Sequence, residues 1–340
     1  MKRVIIGACF LFSAVAVFSQ EQNAALAYLD VIEAQQKAIA QDLWDYTCTM
    51  SQGKRASKIK NRRKDLLKTI NIAKQEVNSL DAFNGSTQLR DSTLAYFDLS
   101  YKVIGEDYAK IVDMQEISEQ SYDLMEAYLL AQEKANEKLD IAADIFQKEY
   151  EEFAAENNIN LIKDESKVSK KLEKASDVYK YYNPVYLIFF KSYKQEMYLM
   201  NALQNKDING IEQNKQTLLK YAQEGIDKIK EISPFKGDAS MIRTANALQN
   251  FYVQEVEKMN VMVDFFMKEE TMNQTKKSYE AKKTKSQADV DAFNKAVNEI
   301  NKAVKDYNTT NDMLNKKRGE LIEDWNSVCE KFTKTHVPKR

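Results

Sequence analysis

Few residues of this chain have the type and spacing that chemistry requires. Its only two tryptophans each stand four residues before a cysteine, in "DLWDYTC" (42–48) and "LIEDWNSVC" (321–329). On a helix this spacing stacks Trp44 over Cys48, and Trp325 over Cys329, one turn apart on one face. In an exported chain two remaining thiols favour a disulfide, so a Cys48–Cys329 bridge is expected. In the chain-entropy model such a long loop closure is worth roughly 5 kcal/mol at most. The alternative is a pair of buried thiols acting as small apolar groups.

A second concentration of side chains is "YKYYNPVYLIFFKSYKQEMYLM" (179–200), built around Pro184. Tyr181, Tyr182, Tyr186, Phe189, Phe190 and Tyr193 crowd around a proline that removes a helix hydrogen bond. They suit a helix buried on several sides, where two halves of the protein pack. They also suit a pocket for a small apolar or sugar-like ligand.

The remaining inventory argues against catalysis. The one histidine, His336, is fifth from the C-terminal end, in a tail expected to be flexible. A catalytic triad or a histidine metal site needs a rigid platform that such a tail lacks. Di-iron bundles need paired Glu-x-x-His motifs, and the chain has none. The acidic run "EYEEFAAE" (149–156) reads as a solvated helix face rather than a cation site. After Gly7 no two glycines lie within ten residues of each other, so no phosphate-cradling loop is present. No catalytic residue, metal site or cofactor is expected.

The elements that position these residues are helical. Eight glycines and three prolines in 340 residues make about 3%, against roughly 12% in ordinary proteins. That leaves little room for a sheet and its turns, while 44% apolar residues are enough for a core. Periodicity predicts eight helices, at about 22–51, 55–82, 87–113, 117–156, 165–206, 208–232, 239–272 and 287–333. Gly53, Gly85, Gly210 and Pro234 with Gly237 mark stops, and the asparagines of "ENNIN" (156–160) mark a turn. Ser286 with Asp289 reads as a capping box. The last helix would run roughly 70 Å at 1.5 Å per residue, with polar Asn311 and Arg318 in its apolar frame, as register-fixing residues are.

The helices divide four and four. "DLLKTINIAKQEVNSLDAFNG" (65–85) aligns without gaps to "TLLKYAQEGIDKIKEISPFKG" (217–237), an offset of 152 with five identities. Phe146, Tyr150 and Phe153 take the spacing of Trp325, Cys329 and Phe332. The expected fold is therefore all-α: an elongated antiparallel, coiled-coil-like bundle of two tandem four-helix repeats, residues 20–160 and 161–335, with a flexible tail at 336–340.

"MKRVIIGACFLFSAVAVFSQ" reads as a secretory signal peptide, basic at Lys2 and Arg3 and apolar from Val4 to Phe18, cleaved after Ser19. The apolar run falls short of the roughly 20 residues of a membrane span, and "IGAC" only loosely resembles a lipid-attachment box. No span is expected after cleavage. Losing Lys2 and Arg3 from 50 basic residues leaves 48 against 51 acidic ones, a balance with no field to attract nucleic acid.

"DYAKIVDMQEISEQSYDLMEAY" (107–128), "FKGDASMI" (235–242) and "ADVDAFNKAVNEIN" (288–301) resemble an uncharacterised family of exported or surface-assigned all-helical bacterial proteins. The resemblance covers nearly all of the chain beyond the signal and implies export and a helical fold, with no site residues to carry over. The expected function is non-enzymatic: a periplasmic or cell-surface protein presenting helical surfaces to a protein partner in the envelope, as a scaffold, adaptor or adhesin-like module. The alternative is a carrier of a small apolar or glycan ligand near Pro184.

Overall fold

The computed structural model describes residues 12–14, 20–51, 56–163 and 166–339. The expected signal peptide, apart from Phe12–Ala14, and the stop at Gly53 lie outside them. The described chain is all-helical but for one short ribbon. Its helices are α1 (Gln20–Ser51), α2 (Ala56–Asn78), α3 (Gln88–Lys102), α4 (Tyr108–Ser118), α5 (Tyr122–Glu156), α6 (Lys167–Gln204), α7 (Ile208–Lys230), α8 (Ser240–Ala281) and α9 (Gln287–His336). The ribbon pairs β1 (Phe12–Ala14) with β2 (Leu161–Lys163), antiparallel, Ser13 opposite Ile162.

A π-helical turn, Val103–Asp107, joins α3 to α4, so the two form one interrupted rod. A π turn frees backbone groups from the regular ladder, and here Gly105 O accepts a hydrogen bond from Arg63 Nη1 at 3.2 Å. The expected helix over 87–113 is thus longer, and its interruption is a bulge with no sequence break.

By contacts the chain forms two units, residues 1–183 with 333–340, and residues 184–332. The boundary falls inside α6, between Asn183 and Pro184, and not at the expected 160/161. Helix α6 runs unbroken through Pro184, so its first half belongs to one unit and its second half to the other. In the first unit α1 packs on α2, α2 on α3, and α3 and α4 on α5. Leu29, Ile32, Trp44, Leu66, Ile70, Phe97, Tyr128 and Phe146 fill its core. In the second unit α7 packs on α8, and Trp325 of α9 lies against Phe189 of α6, ring centroids 4.5 Å apart.

One turn occurs twice. Phe83 and Ser86 exchange two backbone hydrogen bonds of 2.9 Å around Asn84 and Gly85, whose φ angles are +49° and +84°. Phe235 and Asp238 do the same around Lys236 and Gly237, at +50° and +85°. Two consecutive left-handed residues inside such a ring define a type I′ turn, which glycine accepts without steric cost. These glycines are the expected stops at Gly85 and Gly237, whereas Gly210 is no stop: it lies in the first turn of α7, its N donating to the capping Asp207 Oδ1 at 3.0 Å. The turn at "ENNIN" also holds: α5 ends at Glu156 and Asn158 has φ +51°. The capping box is formed, Ser286 N donating to Asp289 Oδ2 at 2.9 Å and Asp289 N to Ser286 Oγ at 3.3 Å.

Helix α9 extends to His336, three residues beyond expectation, so the only histidine sits in the last helical turn and not in a loose tail.

Candidate functional site

The most unusual chemistry of the second unit lies in its core. Glu196 on α6, Glu255 on α8 and Arg318 on α9 converge, the Arg318 guanidinium spanning both carboxylates through Nε to Glu196 and Nη2 to Glu255. Arg318 Nη1 also donates to Asn315 Oδ1, and Nη2 lies 3.5 Å from Met200 Sδ. The Glu255 side chain is fully buried and that of Glu196 nearly so. Tyr252, one turn before Glu255, is also fully buried. Tyr252 and Glu255 both face the Glu196 carboxyl and favour its charged form. Two carboxylates thus face a single cation in a medium that disfavours charge. Burial and then the neighbouring Glu196 charge push Glu255 up to about 8. Burial also raises Glu196, and Arg318 opposes that rise. At neutral pH the pair therefore holds one proton between two carboxyls.

Each helix places its member for a local reason. Arg318 occupies the apolar frame of α9 between the buried Leu314, Leu321 and Trp325, where the sequence marks it as a polar intruder. Glu255 stands on the buried face of α8 with Phe251, Tyr252, Val256 and Met259. Sequence reading missed both glutamates, because a charged residue among apolar ones on a long helix usually reads as its solvated edge. The signal was present in the frame: Glu255 falls four residues after Phe251 and four before Met259.

A second polar contact lies elsewhere in this core. Ser192 Oγ donates to Gln249 Oε1 at 2.7 Å, and Gln249 Nε2 to Ile188 O at 3.2 Å. Gly225 on α7 admits it, since a Cβ there would stand 2.9 Å from Gln249 Cδ.

The aromatic segment is mainly core. Tyr182, Tyr186, Phe189 and Phe190 are buried. Tyr186 stacks on Phe190 at 5.6 Å, Phe189 on Tyr193 at 5.3 Å, and Tyr182 meets Tyr179 edge-on at 6.2 Å. Tyr181 and Tyr193 are half-buried, and Pro184 is exposed on the helix surface. These rings fill space against each other, as rings of a helix buried on several sides do.

Cys48 on α1 and Cys329 on α9 are both buried. Trp44 on α1 and Trp325 on α9 are both fully buried, with Lys171 Nζ 5.4 Å from the Trp44 ring centre.

A cavity of about 300 Å³ lies far from the charged trio, between the ends of α8 and α9. It is lined by Gln274, Ser278, Tyr279, Lys282 and Asp289, among others. Here Tyr279 of α8 stacks on Phe293 of α9 at 4.7 Å, and Lys282 pairs with Asp289 at 2.5 Å. From Met267 to Lys295 no residue is buried. Lys206, just after α6, reaches Glu269 at 2.5 Å, marking where the other helices stop. Beyond that level α8 and α9 continue as a two-helix arm. Its tip carries Lys276, Lys277, Lys282, Lys283 and Lys285 against Glu280, all exposed.

No cluster of metal-ligating residues and no helix long and apolar enough to cross a membrane occurs among the described residues. Comparison with protein-family models, with curated proteins and with solved structures finds no match.

Proposed function

We propose that this is a non-enzymatic protein exported to the periplasm or cell surface, built as two tandem four-helix repeats. It works by presenting helical surface to a protein partner in the envelope, and the α8–α9 arm is the presenting element. The duplication is supported by matched borders. Ala56–Asn78 and Ile208–Lys230 begin and end 152 residues apart, as do the starts of α3 and α8. After the arm the offset becomes 179, taking Phe153 to Phe332, so the second half carries 27 extra residues.

The arm is the observation that carries this reading. Those extra residues add nothing to a core, since none from Met267 to Lys295 is buried. Exposed Met267 and Val304 lie near its base. Two helices that carry an aromatic stack and an ion pair but no buried residue over this length are maintained at a cost in stability that an interaction surface explains. The reading needs no cofactor and no nucleic acid.

The test is to delete residues 271–297, which returns the second half to the length of the first. Crosslinked envelope fractions should yield a partner with the full chain and lose it with the deletion, while helix content and melting stay near those of the full chain. Undiminished capture by the deletion variant would refute the arm as the presenting surface.

A further inference from the structure

We propose that Glu196, Glu255 and Arg318 form a proton-operated latch below the arm, closed while the two carboxyls share one proton and loosened when that proton leaves. The trio ties α9 to both α6 and α8, and α8 and α9 are the helices that continue into the arm. Positions 152 and 179 residues earlier in the first half are Trp44, Val103 and Leu139, all buried and apolar. The charged layer is therefore not demanded by the fold, which closes the same level elsewhere without charge.

The groups facing the pair come from every helix of the unit. Helix α6 contributes Glu196 and, near Tyr252, Tyr193, while α8 contributes Tyr252 and α9 contributes Arg318. On α7, the buried Lys215 is taken by Glu212 at 2.8 Å and Asn260 at 2.6 Å. Arg318 alone neutralises the carboxyls, and it can balance only one negative charge. A second would stand buried and uncompensated.

The sign follows from linkage. Glu255 titrates near 8 when folded and at about 4.3 when released to water. A carboxyl raised by folding gives stability that is full below about pH 4.3 and lost as pH rises toward 8. Opening the latch in that window releases one proton, so the opening constant should rise about tenfold per pH unit. The arm's regulation by this latch rests on the function proposed above; the latch itself does not.

The experiment is amide hydrogen exchange along α9 around Arg318, from pH 5.5 to 7.5 and corrected for intrinsic rates, on the full chain without any partner. The wild type should show about a tenfold rise in opening per pH unit. Glu255→Gln, which is neutral at every pH, should show none, and Glu196→Gln, which removes the like charge, should flatten the rise from the alkaline side. Equal slopes in wild type and Glu255→Gln would overturn the latch. Should Glu255→Gln fail to fold, an unchanged slope in Glu196→Gln would overturn it. Because no partner is present, failure here is distinguishable from failure of the arm deletion.

Discussion

Phe332 meets Phe235 edge to face, ring centroids 5.6 Å apart and planes at 65°. In the first half Phe153 meets Phe83 in the same way, at 5.0 Å and 67°. In each case a ring from the last helix of the half rests on the first residue of the I′ turn. The phenylalanines act as a cover over that turn, which explains why the turn and the ring recur together.

The two turns differ at one left-handed position, Asn84 in one and Lys236 in the other. Asparagine tolerates this conformation better than lysine, because its short amide bonds locally. Lys236→Asn should therefore stabilise by several tenths of a kcal/mol, and Asn84→Lys should destabilise by a similar amount. Gly85→Ala and Gly237→Ala should each cost about 1–2 kcal/mol, since a Cβ at positive φ is strained even though nothing else lies within 4 Å. Urea unfolding of the four variants checks the order.

Phe189 distinguishes core from pocket. Its ring lies 4.5 Å from Trp325 and it is 5% exposed. Phe189→Ala should cost roughly 3–5 kcal/mol in the absence of any ligand. A change below about 1 kcal/mol in denaturant titration would return the aromatic segment to the role of a binding site.

Arg318 separates a buried charge from a packed layer. Arg318→Leu alone leaves the buried, singly charged carboxyl pair without its cation and should cost about 3–5 kcal/mol at neutral pH. Adding Glu196→Leu and Glu255→Val rebuilds the apolar level found in the first half. The triple variant should match the wild type or exceed it by about 1–4 kcal/mol, as thermal melts can show.

Helix number, most borders, the two turns and the capping box could be read from the sequence, because each has a local cause: apolar spacing of three and four, glycine at positive φ, a serine with an acid three residues on. The π turn at Val103–Asp107 has no comparable local cause, since hydrogen-bond slippage depends on what packs beside it. The unit boundary at Asn183–Pro184 was invisible for a similar reason, a helix running unbroken across it. Arg318 stood out as a polar residue in an apolar stripe, but its partners lie 122 and 63 residues away. The arm was hidden in its own regularity: Phe293, Val297 and Ile300 keep the period of a packed helix, yet none of them is buried.

Site-specific photo-crosslinking in cells that make the protein tests the central claim most directly. A photoreactive residue at Lys277 or Lys283, on the exposed arm tip, should give one discrete protein adduct. The same residue at Ile145, 58% exposed on α5, should give none. Adducts of equal yield from Ile145, or none from either arm position, would contradict the account of the arm as the partner-presenting surface.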